Sequence, residues 1–316
     1  MISIFDFFSD LTNPALAFLP KALLISVMSS IVCAVVGTHV VLRGMAFIGD
    51  AVAHAVFPGI AIAFVMQGSL LVGGAIAGGV VASLVAVFSQ NRKVKEDTLI
   101  GIFFAAAFAL GLVIISQING YTASLTSFLF GSITGVPDSD IILVAVVGTV
   151  VVAALLLLNK ELVTTALDRE TARAQNLPVF WLDLVLYFAV TAAVVISVRT
   201  IGNILVLALL VTPAATARLL TERLGIMMAL SALIGASCSF LGLYLSWSIN
   251  LPTGATIVLT TTALFFLVWL FAPQQGLITR NLRRRGTRAL VHAAEGAESA
   301  DDIRLRKDAP TANETC

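Results

Sequence analysis

The chain has 316 residues, 59% hydrophobic and only 12% charged, with a formal net charge of +1 and a mean hydropathy of +1.00. A soluble domain carries about 25% charged and about 45–50% apolar residues, so this sequence lacks the groups to cover a water-facing surface, and its apolar excess must face lipid. Soluble enzymes, nucleic-acid binders and secreted disulfide scaffolds are excluded, and the near-zero charge implies no polyanionic partner.

A membrane-crossing helix needs about 20 mostly apolar residues. Candidates lie at 19–41, 46–66, 69–89, 98–117, 139–158, 180–198, 201–220, 225–246 and 253–272. They predict an all-α polytopic bundle of eight or nine spans at 15–272. The segment 1–14 holds Asp6 and Asp10 where a secretory signal needs basic residues. With the end of the last span placed in the cytoplasm, every Lys and Arg except Lys21 and Arg199 falls on that side, the bias that sets orientation in membranes. Residues 273–316 are polar and charge-rich without apolar periodicity, and read as a disordered cytoplasmic tail. The basic cluster at 280–288 suits a membrane with anionic lipid. Cys33, Cys238 and Cys316 suggest no disulfide framework.

The second span reads Asp50-Ala-Val-Ala-His54-Ala-Val-Phe-Pro58-Gly59. An Asp at the centre of a span costs about 2.5–3.5 kcal/mol on insertion scales, and such residues carry function by default. At a spacing of four, Asp50 and His54 share a helix face with Cβ atoms about 5–6 Å apart. Three readings fit that geometry: ligation of one divalent cation by a carboxylate and an imidazole, a proton relay, or a buried structural pair. Two ligands do not fill a metal's shell, so other helices or water must add to them. Cys33, Cys238, Asn203 and Thr212 are soft or polar groups in or beside spans, and read as packing.

Pro58-Gly59 is expected to break the second span, and Pro213 the seventh. Broken helices at membrane depth line cavities or are buried in protein, and transporters place substrate sites there. On the cytoplasmic side, the run from Pro213 through Arg218, Thr221, Glu222 and Arg223 is expected to continue as an amphipathic helix that stops at Gly225. A second short helix is expected from Asp168 to Pro178. Each reads either as a solvated helix end or as a lever that docks on a soluble partner. The sequence has no G-x-x-x-x-G-K-[ST] loop, so any ATP would be hydrolysed by another subunit.

The run from Val41 to Gly59 is similar to the second-helix signature of the permeases of zinc/manganese ABC importers. The run from Gly202 to Leu220 resembles their second characteristic stretch, and Asp168-x-Glu170-x-Ala172 also fits. The likeness covers about 15–272. It implies a permease homodimer in the cell membrane that pairs with two ATPase subunits and receives metal from an extracellular solute-binding protein. It also implies a metal gate at Asp50 and His54, and a coupling helix at about 218–226. The long tail departs from the pattern. The resulting expectation is import of Mn2+, Zn2+ or Fe2+ as cargo, with no permanently bound cofactor and no covalent chemistry. Because imidazole must be neutral to ligate, uptake should weaken below about pH 6.5. The rivals are a proton-coupled secondary transporter and a permease for iron-siderophore, haem or cobalamin.

Overall fold

The computed structural model describes residues 4–45, 47–90, 96–117 and 137–272. The tail at 273–316, the basic residues at 92–95 and the side chains of Arg199 and Asn203 lie outside them. Helix α1 (Ile4–Thr12) and a 3-10 turn (Pro14–Leu16) precede α2 (Phe18–Leu42). The second span is divided into α3 (Ile48–Ala55) and α4 (Phe57–Val65). Then come α5 (Leu70–Phe88), α6 (Glu96–Ser116), α7 (Asp138–Leu157), the short α8 (Asn159–Leu167) and α9 (Arg169–Ala174), α10 (Val179–Ile201), α11 (Asn203–Leu220), α12 (Leu224–Ile249) and α13 (Thr253–Phe271). Among the described residues there is no strand.

Eight segments are long and apolar enough to cross a membrane, with α3 and α4 counted as one. The ninth expected span is α11, whose 18 residues rise about 27 Å at 1.5 Å each, slightly less than a hydrocarbon core of about 30 Å. Packing explains why so short a helix survives there: Leu205, Leu209 and Leu210 are fully buried with the α2 residues Val36 and Val40 and the α10 residues Leu186 and Val190. The reversal between α10 and α11 is made at Gly202, whose φ of +82° is a conformation that side-chain-bearing residues avoid.

Helices α2 and α10 are buried along most of their length, whereas α6 and α13 expose most of theirs. Lipid is as apolar as leucine, so helices in it associate through close packing and hydroxyls rather than through the hydrophobic effect. The seam between α2 and α12 follows that rule. Ser30 and Ser239 hydrogen-bond through their hydroxyls, and the Ser231 hydroxyl donates to the Ala34 carbonyl at 3.1 Å.

Helix α1, which hydropathy did not anticipate, is tied to α12. Its Phe7 ring meets Phe240 and Tyr244 edge-on, at 6.0 and 5.4 Å between centroids, and Trp247 Nε1 donates to Asp10 Oδ2 at 2.9 Å. A hydrogen bond to a charged group is worth about 1.5–3 kcal/mol. Trp247→Phe keeps the ring and removes the donor, so amide exchange across Ile4–Thr12 should quicken about tenfold or more while exchange in α2 stays unchanged.

Lys21 pairs with Asp138 at 2.5 Å, where α2 and α7 begin. At the opposite end of α2, Arg218 Nη1 donates to the Val41 carbonyl at 3.0 Å. Arg43 and Arg169 meet at that same end, so Arg43, Arg169 and Arg218 gather on one side of the bundle and Lys21 sits on the other.

Candidate functional site

Helix α3 places Asp50 and His54 on one face, as the spacing of four requires. His54 Nδ1 lies 3.0 Å from the Asp50 backbone carbonyl and 3.3 Å from Asp50 Oδ1. Donation from Nδ1–H to that carbonyl leaves the lone pair on Nε2, the arrangement usual for an imidazole prepared to bind a metal. The pair as it stands is self-bonded, so a cation shared by both side chains of one copy must displace the contacts at Nδ1. A cation taken at Nε2 leaves them in place.

The imidazole is flanked edge-on by Phe104 and Phe108 of α6, each at 5.1 Å between centroids. Those rings lie eight and twelve residues from the start of α6 at Glu96, or about 12 and 18 Å along the helix. His54 therefore sits near mid-depth in a core of about 30 Å. Both side chains stay partly accessible in this single chain, His54 at 23% and Asp50 at 37%. Among the described residues, no group of three or more His, Cys, Asp and Glu side chains forms around them.

The interruption expected at Pro58 is present but small. Val56 joins α3 to α4 with helical φ and ψ of −70° and −23°. Pro58 sits in the first turn of α4, where its missing N–H leaves the His54 carbonyl without its usual partner. Gly59 has a different role from a loosened backbone. A Cβ there would collide with the Gly73 carbonyl, and one at Gly73 would collide with the Gly59 carbonyl. The two glycines let α4 and α5 touch backbone to backbone.

Two expectations are corrected. Pro213 does not break its span: α11 runs through it to Leu220, in a turn where the Thr216 hydroxyl donates to the Thr212 carbonyl at 2.7 Å. The helix beyond it also does not continue to Gly225. It stops at Leu220, Thr221 is extended with φ and ψ of −150° and 146°, and α12 begins at Leu224, so Gly225 lies in its first turn. The Thr221 hydroxyl accepts from the Arg223 amide at 3.2 Å, a local bond that favours a tight link over helix. Glu222 and Arg223 are exposed on this link, and Gly225 is exposed in the first turn of α12. The second expected short helix is α9. Asp168 caps it by accepting from the Glu170 amide at 2.9 Å, and it ends at Ala174 rather than at Pro178.

The model of the ABC 3 transport family matches residues 15–272. The chain belongs to that family. Over 267 residues the chain is 38% identical to the manganese transport system membrane protein MntC of Halalkalibacterium halodurans, covering 84% of this chain and 91% of that one. Over 264 residues it is 36% identical to a probable iron transport system membrane protein of Haemophilus influenzae, covering 84% and 93%. Among solved structures it resembles PsaBC from Streptococcus pneumoniae in complex with Fab, with a TM-score of 0.77 and 33% identity, covering 90% of this chain and all of that one.

The chain also holds a charged cluster that the sequence reading did not single out. Asp183, the fifth residue of α10, is wholly buried. Arg43 Nη1 reaches its Oδ1 at 2.5 Å and Arg169 Nη2 its Oδ2 at 3.0 Å. Arg169 also pairs with Glu96. The signal was available, since an Asp four residues into the apolar run 180–198 meets the same criterion that drew attention to Asp50.

Proposed function

We propose that the chain is the membrane permease of an ABC importer for a divalent first-row transition metal, with Asp50 and His54 as its gate. The observation that carries this reading is the carboxylate–imidazole pair near mid-depth, flanked by two aromatic rings and still partly accessible in one copy. A carboxylate offsets the cost of drying a cation, and an imidazole disfavours magnesium and calcium. The names of the manganese and iron relatives support the same class of cargo. Manganese, zinc and ferrous iron all accept such ligands, and manganese heads the reading because of the relatives' names.

One copy supplies two ligands. A homodimer that apposes two α3 helices would supply two carboxylates and two imidazoles, which is enough to hold a cation without water. The reading further assigns the Arg43, Arg169 and Arg218 side to the cytoplasm, by the positive-inside bias. On that side the link carrying Thr221, Glu222 and Arg223, the adjoining Gly225 at the start of α12 and the short helix α9 are the surfaces available to two ATPase subunits. A solute-binding protein would deliver metal to the opposite face, and the protein would lie in the plasma membrane.

The test is Mn2+ uptake into proteoliposomes that contain the chain with its ATPase subunit. Uptake should need ATP and cease with an ATPase variant that binds but does not hydrolyse it. Uptake driven by a pH gradient without the ATPase would instead support the secondary transporter, the reading in which Asp50 and His54 relay protons.

A further inference from the structure

The cluster around Asp183 joins parts of the chain that are far apart in sequence and lie on either side of the proposed coupling route. Arg169 is the first residue of α9, the short exposed helix. Arg43 caps the end of α2, and only six residues separate it from Asp50. Asp183 holds both through opposite oxygens, Oδ1 to Arg43 and Oδ2 to Arg169. Gln90, at the end of α5, adds a bond to Oδ2 at 3.4 Å.

The two arginines are not equivalent. The Arg43 side chain is 4% exposed, and the Arg169 side chain is 26% exposed. Arg169 is shared between Asp183 and Glu96, so it can leave Asp183 without losing every partner. Arg43 forms its ion pair with Asp183, and Glu96 also feels its charge. The Arg43 attachment is therefore the more enclosed of the two, and both converge on one carboxylate near the start of α10. Apolar packing could hold the bundle without exposing the chain to the cost of dehydrating four charges, so a purely adhesive purpose accounts poorly for the arrangement.

We propose that Asp183 is a positioning residue for transport: its carboxylate fixes the Arg43 segment that leads into α3 and releases or holds Arg169 as α9 is displaced, so that movement of α9 reaches Asp50 and His54. The inference rests on the permease reading above and adds to it the internal connection between the ATPase side and the gate.

The experiment uses the complete transporter, permease plus ATPase, in proteoliposomes, and reads Mn2+ moved per ATP hydrolysed. Arg169→Gln should lower that ratio about tenfold, within the range known for couplings between distant sites, while ATP is still hydrolysed and the purified complex melts at the wild-type temperature. Arg169→Lys, which keeps the charge, should recover most of the ratio. Asp183→Asn should lower it at least as far. The proposal is overturned if the ratio stays at the wild-type value in Arg169→Gln, or if uptake, hydrolysis and melting temperature fall together in every variant, as a purely structural role would require. Wild-type complex that moves no Mn2+ with ATP overturns the permease reading itself, whereas a wild type that transports beside an Arg169→Gln variant of unchanged ratio overturns this inference alone.

Discussion

His54→Ala is expected to cut ATP-driven Mn2+ uptake at least about 100-fold, since loss of a group that merely supports a metal ligand already costs about 10–100-fold. The variant should still fold. His54 is only half-buried, and what it leaves behind is a gap between Phe104 and Phe108, which already stack on each other at 6.1 Å between centroids. Asp50→Asn separates charge from shape: it keeps an oxygen near His54 Nδ1 and removes the negative charge that compensates a dehydrated cation. Its uptake should fall by a similar factor, with ATPase assembly unchanged. Normal uptake in either variant at normal expression would refute the gate.

The second large effect is on folding. Gly59→Ala adds one methyl group at a place where the nearest atoms are the backbone of Gly73 and the Cβ of Ala77. A carbonyl oxygen cannot rotate away as a side chain can, so α4 and α5 must separate. Overpacking of this kind costs about 1–3 kcal/mol and occasionally more, and here the upper end is expected. The purified chain should melt several degrees lower and lose its monodisperse fraction. Gly101→Ala is the matched control, because a Cβ there meets nothing within 4 Å, and it should leave both measurements unchanged.

The spans were legible because each long apolar run has to become a helix once water is removed. The limits expected for the third to fifth candidates fall within two residues of α5, α6 and α7. Asp50 and His54 were legible for the complementary reason, since polar groups stand out against such runs. What escaped were features set by neighbours. Phe104 and Phe108 are ordinary apolar letters until α6 is laid against α3. Asp183 was passed over inside the candidate span 180–198, because the arginines that justify its burial come from 140 residues upstream and 14 residues upstream. Pro213 signals a break locally, but α11 is held continuous by the buried leucines around it. Gly59 signalled a weak backbone, whereas its use is to remove bulk between two helices.

The serine seam between α2 and α12 has a consequence for handling the protein. Contacts that rely on expelling water gain nothing inside a micelle, but hydroxyl bonds and interlocking shapes persist in any oily medium. These two rods should therefore be the last to part as detergent replaces the bilayer. Sparsely covered α6 and α13 should loosen first, and purification in harsh surfactant would erode the periphery before the spine.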